Sequence, residues 1–275
     1  MGETGGVTTQ PTGDADPGLY GPDSVTWRVH ADPSMGLAGL RALMLQAVHP
    51  LAMAGVAQHS DFRQDPWGRL RRTAEYVGVT TFGTTAEAER AGAKVRGIHR
   101  KLSGVERTSG TAYRVDDPAL LLWVHCVESE SFLSTAVRSG LRLSRAEQDA
   151  YYAEQVRGAA LVGLTAAPDS VTAMADYFTQ VRPELRVTAE ARAAARFVLT
   201  PPMPLVATAA RPAWAGVAAA AFCLMPSWAR RMYRFPGLPA TDLGAALFAR
   251  TFRTAFQVLP DGPHYKDAKA RLGLS

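Results

Sequence analysis

Apolar positions recur at three- and four-residue spacing along most of the chain, whereas strict alternation is short and scarce. The best alternating run is GVTTFGTT, residues 78–85, and it reads as a link between helices. Helix start signals are frequent. Ser34 or Asp32 precedes GLAGLRALMLQAV; Pro50 interrupts that pattern, and LAMAGVAQ adds another turn or two. Asp65-Pro66 supplies an N-cap and a first helical proline ahead of WGRLRRTAEYVGV. Thr84 or Thr85 precedes AEAERAGAKVRGIHRKL, and Asp116-Asp117-Pro118 opens ALLLWVHCVESESFLSTAV. Ser144 with Glu147 three residues on forms a capping box before DAYYAEQVRGAALVGL. Pro168 opens DSVTAMADYFTQV, and Thr188 with Glu190 starts AEARAAARFVL. Two more helices are expected near residues 239–258 and 264–272. Ten or more helices without a repeat or a seam predict one all-α, multi-helix domain over residues 23–275. Residues 1–22 read as a disordered tail.

Composition narrows the function classes. Hydrophobic residues make up 47% of the 275, enough for a large core without staples. The formal charge of +5 comes with no aromatic–basic interleaving and no nucleic-acid motif, so nucleic acid is not expected as a partner. Scattered arginines suit a buried anionic ligand instead. The two cysteines, Cys126 and Cys223, lie in apolar runs and fit a reducing, cytoplasmic setting. The start, MGETGGVTTQPTGDADPG, has no basic n-region and no apolar h-region. Its Met-Gly opening misses the myristoylation pattern because position 6 is Gly. The uncharged run from Pro212 to Ala229 is 18 residues, but prolines bound and break it, so it reads as a buried core helix. Arg230, Arg231 and Arg234 beside Trp228 and Tyr233 make a peripheral membrane contact through residues 201–235 a second expectation.

Several chemistries are missing. There is no G-x-G-x-x-G, no P-loop, no G-x-S-x-G elbow, no H-E-x-x-H and no E-x-x-H pair. Cysteines are too few for zinc ribbons or iron–sulfur clusters. Six histidines remain, and a metal held here must need only one or two protein ligands. A haem meets that condition, since its porphyrin supplies four nitrogens.

Three stretches carry candidate chemistry. In KVRGIHRKLSG, residues 94–104, five of eleven residues are Lys, Arg or His, yet His99 borders an apolar stripe of Val95, Ile98 and Leu102. Arg96 stands one turn before it and Ser103 one turn after. Nearby cations lower an imidazole's pKa and can neutralise propionates. In DPWGRLRRT, residues 65–73, Arg69 and Thr73 stack on one face, with Arg72 beside them. A cation and a hydroxyl facing the same way suit polarising an oxygen ligand or holding a propionate. In QAVHPLAMAGVAQHS, residues 46–60, Pro50 leaves the Gln46 carbonyl without its usual donor, and His49 is a distal group or a helix cap. His125 lies in the apolar run LLLWVHCVESE, with Glu128 and Ser129 one turn on, as a reserve axial ligand or a core residue.

The ordered series LMLQAVHPLAMAGVAQHSDFRQDPWGRLRRTAEYVGVTTFG, VRGIHRKLSG, YRVDDPALLLWVH and LSRAEQDAYYAEQ resembles the MpaB-type oxygenase family, which shares a catalytic domain with rubber oxygenase (latex clearing protein). The resemblance runs from about residue 25 to 260. It implies an all-α fold with a globin-like core around a b-type haem. By motif order it puts the proximal iron ligand on His99 and the distal pair on Arg69 and Thr73; His49, from its own apolar stretch, is expected to assist them. Arg72 stands where rubber oxygenase has a lysine; Arg72 and Arg96 would pair with propionates, and His125 stays open as the alternative cofactor contact. Rubber oxygenase also relies on a distal glutamate. Between Arg41 and Arg69 this chain has Asp61 and Asp65 but no Glu. The expectation is a haem b (iron) oxygenase or peroxygenase acting on an apolar or aromatic small molecule with dioxygen or peroxide. A non-catalytic haem sensor or carrier, and a cofactor-free membrane-surface protein, are the rival readings.

Overall fold

The computed structural model describes residues 15–60, 64–203, 205–235 and 237–274. Among these residues the chain forms thirteen α-helices and one two-stranded hairpin. The first helices are α1 (Val25–His30), α2 (Met35–Gln46), α3 (Pro50–His59), α4 (Pro66–Phe82) and α5 (Thr85–His99). Strands β1 (Ser103–Val105) and β2 (Ala112–Arg114) follow, paired antiparallel with Gly104 opposite Tyr113. Then come α6 (Pro118–Arg138), α7 (Arg145–Leu161), α8 (Val171–Val181), α9 (Ala189–Leu199), α10 (Arg211–Cys223), α11 (Ser227–Met232), α12 (Pro239–Phe256) and α13 (Pro263–Leu272). The all-α expectation holds.

Most boundaries follow the local signals. Asp65 accepts from the Gly68 amide with Pro66 in the first turn of α4, and Asp117 accepts from the Ala119 amide ahead of Pro118. Thr84–Glu87 and Ser144–Glu147 both close as reciprocal capping boxes. Three readings need correction. GVTTF is not a link: α4 runs to Phe82, with the Thr80 hydroxyl bonded to the Tyr76 carbonyl and Thr80, Thr81 and Phe82 all buried. The α8 cap is Ser170 rather than Pro168. Residues 15–22 are packed, not a loose tail. The Asp16 carboxylate accepts from the Thr85 amide (2.8 Å) and hydroxyl (2.9 Å), and Arg157 donates to the Leu19 carbonyl. Residues 1–14, the rest of that expected tail, lie outside the described residues.

The core forms where α2 packs along α6, with α10, α7 and α12 closing around Leu37, Met44, Leu45, Trp123 and Met225. At its centre Arg41 is almost fully buried. Its guanidinium forks onto both Glu130 oxygens (2.7 and 3.0 Å) and donates to the Leu224 carbonyl and the Ser131 hydroxyl. Breaking such a pair leaves a charge buried without a partner, so Glu130→Ala is expected to cost about 3 kcal/mol or more in urea unfolding. A loss near that of a surface substitution would show that Arg41 is solvated.

Pro50 produces the bend that positions the site. The axes of α2 and α3 turn by 106° across it. The Gln46 carbonyl, freed of its usual donor, accepts from the Trp123 indole at 3.0 Å. No single helix among the described residues is long and apolar enough to cross a membrane. In the 201–235 segment Arg230 is buried against the Cys223 carbonyl and Asp242, Tyr233 donates to the Met44 carbonyl, and Arg182 covers Trp228. Of the five residues behind the membrane expectation, those three face the protein.

Candidate functional site

Around one face of α6 the helices leave a chamber of about 370 Å³. That volume lies within the range of about 300–1,000 Å³ typical of ligand sites. Residues 121, 124, 125, 128 and 132 line it, the helical repeat of one α6 face. The α4–α5 hairpin adds Arg69, Tyr76, Ile98 and His99 to the lining. α3 contributes Ala52 and Val56, and α1 and α7 contribute His30 and Gln155.

The wall is placed by close packing. A Cβ at Gly92 of α5 would stand 2.7 Å from the Leu161 carbonyl, so α5 lies directly against the end of α7. Arg96, one turn later, donates to that same carbonyl. α5 ends at His99, and the chain turns into the hairpin. Ser103 therefore sits in β1, not one helical turn beyond His99, and its carbonyl contacts the His59 ring at 3.1 Å.

The chamber is mainly carbon with a few unpaired polar atoms. His99 Nδ1 and His125 Nε2 are both sealed from water without a hydrogen-bond partner. An orphaned buried polar atom costs roughly 1–3 kcal/mol, so the fold carries this cost twice beside one cavity. Burial lowers the pKa of His99, against an opposing pull from Asp116, and lowers that of His125 to about 4. Both rings are thus held neutral, the form that can donate a lone pair. Desolvation does this, not the neighbouring cations that the sequence suggests. His30 differs. Its Nδ1 meets the Thr81 hydroxyl at 2.8 Å and its Nε2 the Tyr151 hydroxyl at 3.1 Å. It is a satisfied wall residue, with its pKa lowered to about 3 by burial.

Glu128 stands on the chamber wall, and burial raises its carboxyl to about 7. Sequence reading noted it only as a neighbour of His125. The available signal is its place in the 121–124–125–128–132 stripe, a carboxyl one turn from His125 on a face otherwise made of Leu121, Val124 and Phe132.

The expected site residues separate into two groups. Arg69, His99 and His125 meet in the chamber. Arg69 donates to the Ser60 hydroxyl. Thr73 faces an adjoining cavity, and its hydroxyl bonds back to the Arg69 carbonyl at 3.1 Å. The other three do not line the chamber. Arg72 is exposed and bonded to Asp65 at 3.0 Å. Arg96 is turned to the Leu161 carbonyl. His49 caps α3 through the Ala52 amide, packs on Trp123 and approaches Glu184 at 3.8 Å. Its side chain thus does the capping that sequence reading allowed as an alternative. Asp61 lies outside the described residues.

These groups link stability to pH in opposite directions. His30 and His125 titrate lower in the fold than the ordinary 6.5. The unfolded chain therefore binds more protons below 6.5, and stability falls as pH drops. Glu128 titrates higher than its ordinary 4.5, so its contribution is complete below 4.5 and is lost as pH rises through about 7. Near pH 5.5 these imidazoles, with His49 and His99 shifted in the same direction, oppose one carboxyl. Glu128→Gln removes the opposing term and is expected to steepen the stability gain with pH by about 1.4 kcal/mol per unit. Urea unfolding of the cofactor-free chain from pH 4.5 to 6.5 reads this directly. An unchanged slope would mean that Glu128 is in contact with water.

No group of three or more His, Cys, Asp or Glu side chains among the described residues forms a cage for a bare metal ion. Two neutral imidazoles on an apolar chamber suit a metal whose other ligands come from a macrocycle. Residues 27–257 match the family model described as ER-bound oxygenase mpaB/B'/rubber oxygenase, catalytic domain. No curated protein and no solved structure matches the chain. Apart from Tyr20, every residue of the chamber wall falls inside the matched span. The chain belongs to the mpaB/B'/rubber oxygenase catalytic-domain family, a family of oxygenase type.

Proposed function

We propose that the 370 Å³ chamber holds a b-type haem and that the protein is an oxidoreductase acting on an uncharged apolar or aromatic small molecule, with dioxygen or peroxide as co-substrate. The observation behind this reading is the pair of neutral, unpartnered imidazoles, His99 from α5 and His125 from α6, that line one chamber. His99 is the proposed iron ligand. Of its two nitrogens only Nδ1 is sealed, whereas His125 has its Nε2 sealed. When bound, the iron porphyrin supplies the redox chemistry, and the protein supplies position, charge and access.

The chain's own residues then have distinct tasks. Arg69 brings a cation and several N–H donors to the wall, suited to an oxygen atom that gains negative charge. Glu128, with its carboxyl raised to about 7, can take up or release a proton at neutral pH. It fills the role for which the segment between Arg41 and Arg69 has no glutamate, from a different helix. The Leu121, Val124 and Phe132 side chains keep water from the reacting atoms. A carrier or sensor has no use for such a carboxyl, and this favours turnover.

Oxygen-electrode and peroxide-consumption assays on the haem-loaded chain test the reading, with simple phenols and alkenes as probes. Uptake that depends on the added organic molecule is expected. A haem-loaded chain that consumes neither oxidant with any probe would leave a binding protein.

A further inference from the structure

A second cavity, of about 120 Å³, lies between α2, α3, α4, α9 and α10. Leu43, Met53, Leu70, Trp67 and Trp214 are among its walls. Its polar atoms are mostly committed elsewhere. The Trp67 indole donates to the Pro202 carbonyl, the Trp214 indole to the Val198 carbonyl, and the Thr73 hydroxyl to the Arg69 carbonyl. A cation would lose its hydration here beside Arg69, the one charged side chain on the wall, whereas an uncharged carbon skeleton loses nothing.

The cavity adjoins the larger chamber through a thin partition. Gln46, Ala52, Val56, Arg69 and Val124 line both spaces. Only Gln46 and Arg69 of these carry polar side chains. Arg69 donates to Ser60, whereas the Gln46 amide makes no hydrogen bond among the described residues. The partition thus offers a free amide at the one polar edge of an apolar space. An apolar protein cavity of about 150 Å³ accepts benzene, so one of 120 Å³ accepts at most about one small ring. Trp67 and Trp214 meet edge to face at 5.0 Å, and Trp67 is partly exposed, which places an aromatic pair between the cavity and solvent.

We propose that this cavity is the binding site for a single uncharged aromatic ring bearing one hydroxyl or carbonyl oxygen, and that the Gln46 amide holds that oxygen at the edge of the larger chamber. As a substrate site it rests on the larger chamber being the reaction chamber; as a binding site it stands alone. It names the substrate class more narrowly than apolarity does, because the oxygen has a dedicated partner and the volume admits one ring.

Calorimetric titration of the full, haem-free chain with phenol, toluene and benzylamine tests the site, with tryptophan fluorescence as a parallel readout from Trp67 and Trp214. Phenol is expected to bind, toluene about three- to tenfold more weakly for want of one hydrogen bond, and benzylamine, a cation at neutral pH, not measurably. Gln46→Leu should bring phenol down to the toluene level and leave toluene unchanged. Ala195→Leu, which fills the cavity, should remove both. Should Ala195→Leu fail to fold, the Gln46→Leu comparison still decides. Benzylamine binding as tightly as phenol, no phenol binding, or phenol binding indifferent to Gln46→Leu would each overturn the proposal. Because no haem is present, these outcomes are independent of whether the larger chamber binds one.

Discussion

His99→Ala is expected to lose haem at least about 100-fold more readily than the parent chain, while His125→Ala keeps it. Replacing residues that merely support a metal ligand already costs roughly 10–100-fold in metal affinity, so loss of the ligand itself sets a higher floor. The substitution should not unfold the protein. His99 ends α5, its ring makes no hydrogen bond, and its Nδ1 is an orphan whose removal relieves a desolvation cost. Added imidazole should restore the spectrum of His99→Ala by occupying the vacated space. Rescue separates a ligand from a packing residue, because a packing defect is indifferent to a nitrogen base. The reverse pattern, with His125→Ala losing haem and His99→Ala retaining it, would move the assignment to α6.

The second large effect concerns Glu128. Glu128→Gln preserves shape and removes the titrating group from the chamber. Turnover is expected to fall about 10²- to 10⁴-fold, the usual range for losing a positioned acid or base. Haem content should stay the same, because the carboxyl lies on the wall without serving as a ligand in this account. The parent's rate should also carry an inflection near pH 7, where burial places this carboxyl, and the variant's should not. A variant with full activity, or an inflection that survives the substitution, would make Glu128 a bystander. Loss of haem and activity together would make its role structural.

Much of this fold is legible where the causes are local. Asp65-Pro66, Asp117-Pro118 and the two capping boxes satisfy orphan amides within one turn, so their spacing in sequence is their spacing in space. Legibility fails where packing decides. Val79, Thr80 and Thr81 are β-branched and suggest a link, but burial of Thr80 and Thr81 carries α4 on to Phe82. α1 has six residues, too few for a period to emerge. It is held because Glu154, far off in sequence, accepts from the Val25 and Thr26 amides.

The candidate site divides along the same line. His99, His125 and Arg69 follow from motif order and apolar stripes, and the fold brings them to one chamber. Arg72 and Arg96 are expected to pair with propionates because each stands within about one turn of a candidate site residue, Arg69 for Arg72 and His99 for Arg96. A helix turns about 100° per residue, and each finds a nearer partner on another bearing: Asp65 for Arg72 and the end of α7 for Arg96. The α6 stripe marks Glu128 as unusual in sequence, but its raised pKa is not legible in its own segment. The desolvation that raises its pKa comes from α1, α4 and α7 closing around it, contacts that only the assembled fold contains. Gln46 is similar. Its free amide matters only because two cavities meet there.

The most direct test of the account is a titration of the purified full chain with haemin, followed by absorbance. Binding of one haem per chain with a Soret band characteristic of a histidine-ligated b-type haem, weakened in His99→Ala and regained with imidazole, is the expected result. A chain that takes up no haem, or one whose bound haem has the same spectrum and affinity in the His99→Ala, His125→Ala and doubly substituted forms, would contradict it.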